Sequence, residues 1–80
     1  MPVLRLFASA REAAGLGSAA VAGATVGEVL AAARVRFGDR FTEVLATSRV
    51  WLNGEPAADH DLVGEADEVA VLPPVSGGSS

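Results

Sequence analysis

One helix signature dominates the chain, and it lies between segments that read as strands. Thr25-Val26-Gly27-Glu28 fits a capping box, in which the Thr25 hydroxyl accepts from the Glu28 backbone N–H and the Glu28 carboxylate returns to Thr25. Apolar residues follow at Val26, Val29, Leu30, Ala33 and Phe37, the spacing of one helical face, and Gly38 is a natural stop. The spacing predicts a helix from about Val26 to Phe37. With one substantial helix available to cover apolar strands, the economical architecture is α+β, a sheet with that helix packed across one face.

The strands are read from alternation and punctuation. Val3 to Ala8 places Leu4, Leu6 and Ala8 on one face and Val3, Arg5 and Phe7 on the other. Ser9 to Gly15 reads as a short helical turn or loop closed by Gly15, and Ser18 to Ala22 as a weak second strand. Asp39 to Ser48 reads as an irregular stretch with Phe41, Val44 and Leu45 tucked beneath it. Arg49 to Asn53 is a strand, Asn53-Gly54 a two-residue hairpin turn, and Glu55 to Ala57 a short return strand. After a connection over Asp59 to Ala66, Glu68 to Leu72 forms a last strand, stopped by Pro73-Pro74, which cannot continue a central ladder. The order strand, strand, helix, strand, strand, strand matches a ubiquitin-like β-grasp domain with a mixed sheet of four or five strands. Residues 1–74 are expected to form that domain. Residues 75–80 contain nothing to hold them in a core and are expected to be a flexible tail.

Composition narrows the function classes. Eighty residues make one small domain, and its hydrophobic half is rich in alanine, so the core rests on a modest set of Val, Leu, Phe and Trp side chains. Ten carboxylates against six arginines give a net charge of -4, which argues against a nucleic-acid binder and against attraction to an anionic membrane. An acidic domain of this size fits a protein partner with a basic groove. No Lys is present, so no ε-amine exists to accept an isopeptide bond; no Cys is present to make a disulfide, a thiolate metal site or a nucleophile. The apolar start of the chain is too short for a signal peptide and is interrupted by Arg5. No segment approaches the ~20 apolar residues of a membrane span. A cytoplasmic location is the expectation.

Few side chains suggest conventional catalysis. His60, between Asp59 and Asp61, lacks a second His or any Cys to complete a metal site, and a solvated turn is the expected setting. Asp67-Glu68 are neighbours on a strand and point to opposite faces, so they do not form a carboxylate dyad; docking or turn formation suits them better. Arg11-Glu12 reads as an exposed pair open to docking. Trp51 on a strand is expected to be partly core, an exposed ring marking a partner surface.

The ends of the chain carry a resemblance. Leu6-Phe7-Ala8, Arg11-Glu12 and Gly15 resemble the opening signature of the molybdopterin-synthase small-subunit family (MoaD/ThiS). Asn53-Gly54 is similar to its hairpin, and Asp67-Glu68-Val69-Ala70 with Pro73-Pro74-Val75-Ser76-Gly77-Gly78 to its closing signature. The resemblance implies a sulfur carrier that binds no cofactor itself. The Gly78 carboxylate would be adenylated by an ATP-dependent activating enzyme and converted to a thiocarboxylate. It would then enter the large subunit of molybdopterin synthase and donate sulfur to a pterin precursor. Gly77 and Gly78 would carry the chemistry, and Phe7, Arg11, Asp67, Glu68, Pro73, Pro74 and Val75 would meet partners. The protein would be the non-catalytic, sulfur-donating subunit of a sulfurtransferase. The same thiocarboxylate could instead serve thiamin or cysteine biosynthesis, and a ubiquitin-like modifier or a pure interaction module are alternatives from other classes.

Two departures stand out. Ser79 and Ser80 follow Gly78, so in the sequence as written Gly78 has a peptide bond where the chemistry needs a carboxylate. Removal of Ser79-Ser80 by a peptidase is the first expectation; serines foreign to the natural chain, and a tail that has left the pathway, are the other two. Ala66 stands where glycine is expected before the acidic pair, which bears on the turn ahead of the last strand.

Overall fold

A computed structural model of the protein describes residues 1–74. Val75, Ser76, Gly77, Gly78, Ser79 and Ser80, and with them the expected tail, lie outside the described residues. The elements run β1 (Val3–Leu6), α1 (Ala8–Ala14), β2 (Ser18–Ala20), α2 (Val26–Phe37), α3 (Asp39–Ala46), β3 (Arg49–Leu52), β4 (Glu55–Pro56) and β5 (Glu68–Leu72). Five strands form one mixed sheet in the order β2-β1-β5-β3-β4. β1 and β5 pair in parallel at its centre; the other pairings are antiparallel. This is the ubiquitin-like β-grasp fold expected from the element order.

Alternation decides which face is covered. Leu4, Leu6, Val69 and Val71 point inward and are all but inaccessible, and they pack with Val26, Val29, Leu30 and Ala33 of α2. Val21, Ala10 of α1, and Phe41 and Leu45 of α3 complete the core. No charged or polar residue is buried among the described residues, so burial there is opposed by no desolvated charge.

The helix ends explain themselves locally. The Glu28 N–H donates to the Thr25 hydroxyl at 3.2 Å, as the capping box requires. The Glu28 carboxylate, expected to return to Thr25, reaches over that extended residue and accepts from the Ala24 N–H at 2.8 Å. Gly15 closes α1 in the left-handed region (φ 84°), as expected for a C-terminal glycine.

Two expectations need correction. The stretch from Asp39, read as irregular, is helical through Ala46. Phe41, Val44 and Leu45 fall at helical spacing, and Gly38 (φ 89°) turns the chain sharply enough to stack α3 on α2. The Phe37 and Phe41 rings meet edge to face at 5.2 Å across that corner. Ala8, assigned to the inner face of the first strand, leaves it altogether. Its backbone is left-handed (φ 51°), and it begins α1.

The sheet edges are short and blunted. Ala19 and Val21 bond toward β1, so Ala20 presents its carbonyl outward, and the Arg36 guanidinium donates to that oxygen at 3.1 Å. The opposite edge ends at Pro56, which has no N–H to offer.

Gly23 marks the closest approach of chain to helix. A Cβ there would lie 2.7 Å from the Val29 nitrogen and 2.8 Å from its Cγ2. Gly23→Ala should therefore destabilise the domain by about 1–3 kcal/mol, and Thr25→Ala by about 1 kcal/mol through loss of the cap. Urea unfolding of the two variants checks both values.

Candidate functional site

The covered face of the sheet is core, which leaves the other face to be explained. One row of side chains crosses all five strands there: Ser18, Arg5, Ala70, Trp51 and Pro56. In the next row toward the C-terminal end of β5, Leu72 lies opposite Arg49, and Phe7 follows β1 directly beside them. Toward the other end, Val3 lies opposite Glu68. Among the described residues no helix covers this face.

The face has relief. Phe7, Trp51, Gly54, Glu68, Ala70 and Leu72 line an open depression of about 250 Å³. Ala70 is the small residue between larger walls, and Gly54 (φ 86°) follows Asn53 (φ 51°) in the expected left-handed pair of the hairpin. Phe7 remains 40% exposed at the rim of this depression. The Arg5 guanidinium donates to Glu68 at 3.0 Å and lies 5.8 Å from the Phe7 ring centre. Both partners are about half exposed, so the bridge orients the two side chains and adds little stability.

Arg11 extends the face sideways. With Arg5, Phe7, Gly17 and Ser18 it lines an adjoining depression. The Arg11 side chain passes close to Gly17, where a Cβ would stand 3.4 Å from its Nε, an ordinary contact. The structure thus brings Phe7, Arg11 and Glu68 onto one connected surface. Pro73, half-buried, and Pro74, exposed, continue from Leu72 at its edge. Val75, Gly77 and Gly78 lie outside the described residues.

Asp67 is placed elsewhere. Its carboxylate accepts from the Gly64 N–H at 2.7 Å and from the Asn53 side-chain amide at 3.0 Å, while the Asn53 oxygen accepts from the Glu68 N–H at 2.9 Å. It ties the hairpin turn to the start of β5, at the end of the strand away from Pro73. Ala66 fits this turn without a left-handed backbone, so the missing glycine leaves the geometry intact. His60 projects into solvent with its side chain 89% exposed, 3.9 Å from Asp61. Among the described residues no group of three or more His, Cys, Asp or Glu is placed to hold a metal ion, and no helix is long and apolar enough to cross a membrane.

Sequence reasoning left Arg5, Ala70 and Leu72 out of the site and treated Trp51 as a core residue with a conditional surface role. Each sits at an alternating position whose outward sense was readable. What joins them is the register of β1, β5 and β3, which no local pattern carries.

The bonds from Gly64, first, and Asn53 hold the Asp67 carboxyl below its ordinary value of 3.8. A folded-state value below the unfolded one contributes stability above the unfolded value, and that contribution is lost as pH falls through the folded one. Stability should therefore drop as pH falls below the ordinary carboxyl value of 3.8, and Asp67→Asn should flatten part of that drop. Urea midpoints measured across the window read this directly.

The comparisons agree with the geometry. The chain matches the ThiS family model over residues 4–78. SAMP1 from Haloferax volcanii superposes with a TM-score of 0.84 at 34% identity, over 95% of this chain and 97% of that one. Small archaeal modifier protein 1 from Methanosarcina acetivorans gives a TM-score of 0.84 at 26% identity, over 95% and 94% of the two chains. A chain of the BexX/CysO complex of Amycolatopsis orientalis gives 0.78 at 21% identity, over 98% and 100%, a likeness of fold alone. The chain belongs to the ThiS family and has its ubiquitin-like sulfur-carrier and modifier fold.

Proposed function

We propose that this protein is the sulfur-carrying small subunit of a molybdopterin synthase, with Gly78 as its reacting residue. The observation that carries the reading is the joining of an open sheet face, with a mainly apolar depression in it, to a Pro73-Pro74 lead that runs in sequence to Gly77-Gly78. The family match extends to residue 78 and so includes both glycines, which supports the same reading.

The chemistry asks little of the domain's side chains. A carboxylate is a poor electrophile, so an activating enzyme must transfer AMP from ATP to it, releasing pyrophosphate. A sulfur nucleophile then displaces AMP and leaves a thiocarboxylate. Two glycines remove both Cβ atoms where the backbone must thread a narrow channel. The prolines restrict φ where the segment leaves the sheet and so reduce the entropy lost on insertion. Four residues beyond Pro74 span roughly 13–14 Å when extended, enough to bring the reacting end inside a large subunit while the domain stays outside. Phe7, Trp51 and Leu72 would supply the apolar contact with that subunit or the activating enzyme, and Arg11 and Glu68 its polar rim. A free carboxylate at Gly78 requires hydrolysis of the Gly78–Ser79 bond, the step assigned to a peptidase.

A second reading is favoured by the 34% identity to a small archaeal modifier protein: Gly78 would form an amide with an amine on a target protein. Thiocarboxylate service to thiamin or cysteine synthesis uses the same tail and differs in the acceptor.

Intact-mass spectrometry on untagged protein from its own cells distinguishes these. The sulfur-carrier reading expects a form ending at Gly78 with one carboxylate oxygen replaced by sulfur. Adducts on other proteins without a thiocarboxylate would favour the modifier. In a reconstituted transfer assay, deletion of Gly78 should abolish sulfur donation with the thermal transition unchanged, and His60→Ala should leave the rate within twofold. Phe7→Asp should weaken partner binding by about 30-fold, the loss of roughly 2 kcal/mol typical of a central aromatic anchor. Titration calorimetry checks it.

A further inference from the structure

The open sheet face is opposite in sign to the chain as a whole. Arg5, Arg49 and Glu68 take outward positions on β1, β3 and β5, and Arg11 lines the depression beside Phe7 on the β2 side of β1. That is three arginines against one carboxylate, in a chain that holds six against ten. Glu68 is already engaged, since Arg5 donates to it at 3.0 Å. Arg11 and Arg49 are exposed and make no ion pair among the described residues.

The neighbouring carboxylates leave those two arginines uncompensated. Glu55 lies opposite Leu52, which packs on the core side, so the pleat turns it away from the face. Asp67 is tied to Gly64 and Asn53 at the end of β5 away from Arg49. Glu12 shares with Arg11 a second depression, lined also by Ala8, Gly15 and Leu16, and no ion pair joins the two. The arrangement has an order: Phe7 follows β1 beside Leu72, and Leu72 lies opposite Arg49. A row therefore reads Arg11, Phe7, Leu72, Arg49 across the point where Pro73 leaves the sheet. The strands β1 and β3 that flank β5 lie about 10 Å apart. The two unpaired guanidiniums thus stand on either side of the tail root, with apolar side chains between them.

We propose that the protein partner docking on this face is acidic where it meets it: an apolar side chain enters the depression over Ala70, and carboxylates on either side of that side chain meet Arg11 and Arg49. The proposal rests on the sulfur-carrier reading in taking this partner to be the one the tail enters. It reverses the basic groove that net charge suggests, because docking is decided by the charges at the contact and not by the sum over the molecule. The other nine carboxylates and three arginines lie off this face. Guanidinium groups suit the role, since each can hold a carboxylate through two parallel hydrogen bonds.

Backbone amide NMR shifts of the full chain, titrated with the end-capped peptide Glu-Gly-Leu-Gly-Glu, test this. Extended, the peptide sets its carboxylates about 13 Å apart, enough to reach past both flanking strands. It should shift Phe7, Arg49, Ala70 and Leu72 with a Kd of about 1 mM, and Lys-Gly-Leu-Gly-Lys should bind severalfold more weakly. Arg11→Glu with Arg49→Glu should weaken the acidic peptide about tenfold and make the basic one the better ligand. The milder Arg11→Gln and Arg49→Gln should each weaken the acidic peptide about twofold. Arg34→Glu with Arg40→Glu makes the same change in net charge off this face and should leave the preference as it was. Equal binding of the two peptides, no shift with the acidic one, or shifts confined to other surfaces overturns the proposal. So does a preference lost equally in the Arg34 and Arg40 variant, or displacement of the peptide by inorganic phosphate at equal concentration, which would mark a small-anion site. The peptide has no reactive tail, so absence of a thiocarboxylate in cells leaves this result standing, and failure here leaves the tail chemistry standing.

Discussion

The parallel pairing of β1 with β5 is the constraint on which the rest of the molecule depends. It joins segments more than sixty residues apart and places Leu4 and Leu6 beside Val69 and Val71, the most thoroughly buried part of the sheet. The same register sets Phe7 next to Leu72, where the chain leaves the sheet. Stability and placement of the tail root are therefore consequences of one ladder. A parallel pair needs a crossover, and α1, α2 and α3 lie in the intervening chain and cover one face. The other face stays open because the described residues hold no further helix to cover it.

Much of this was legible in the sequence because the informative residues act locally. Thr25, Glu28, Gly38, Asn53 and Gly54 impose caps and turns whatever surrounds them, and the alternation of Glu68–Leu72 separates its two faces. The helix α3 was not legible, since eight residues with three apolar positions fit a tucked loop as well as a helix. Its identity is settled by packing against α1 and α2, which is tertiary information. Ala8 was misplaced for a related reason: nothing in its chemistry announces a left-handed backbone.

The candidate site divides in the same way. The Pro-Pro and Gly-Gly pairs are read directly, because their meaning lies in what they lack, an N–H or a Cβ. Phe7 and Arg11 were named from resemblance, and the structure gives them a shared surface. Asp67 and Glu68, adjacent in sequence, are separated in role by the pleat: one ties a turn, the other faces outward with Arg5. In the proposed function the domain offers shape and orientation, and the chemistry falls to residues beyond Pro74.

Trp51 occupies the middle of the open face, opposite Ala70, and it is the chain's sole tryptophan in a sequence without tyrosine. Its indole emission consequently has one origin and one environment. Covering that face removes water from the ring and shifts the emission. The molecule thus carries an intrinsic optical reporter, which distinguishes occupancy of the sheet from contacts made elsewhere without any added label.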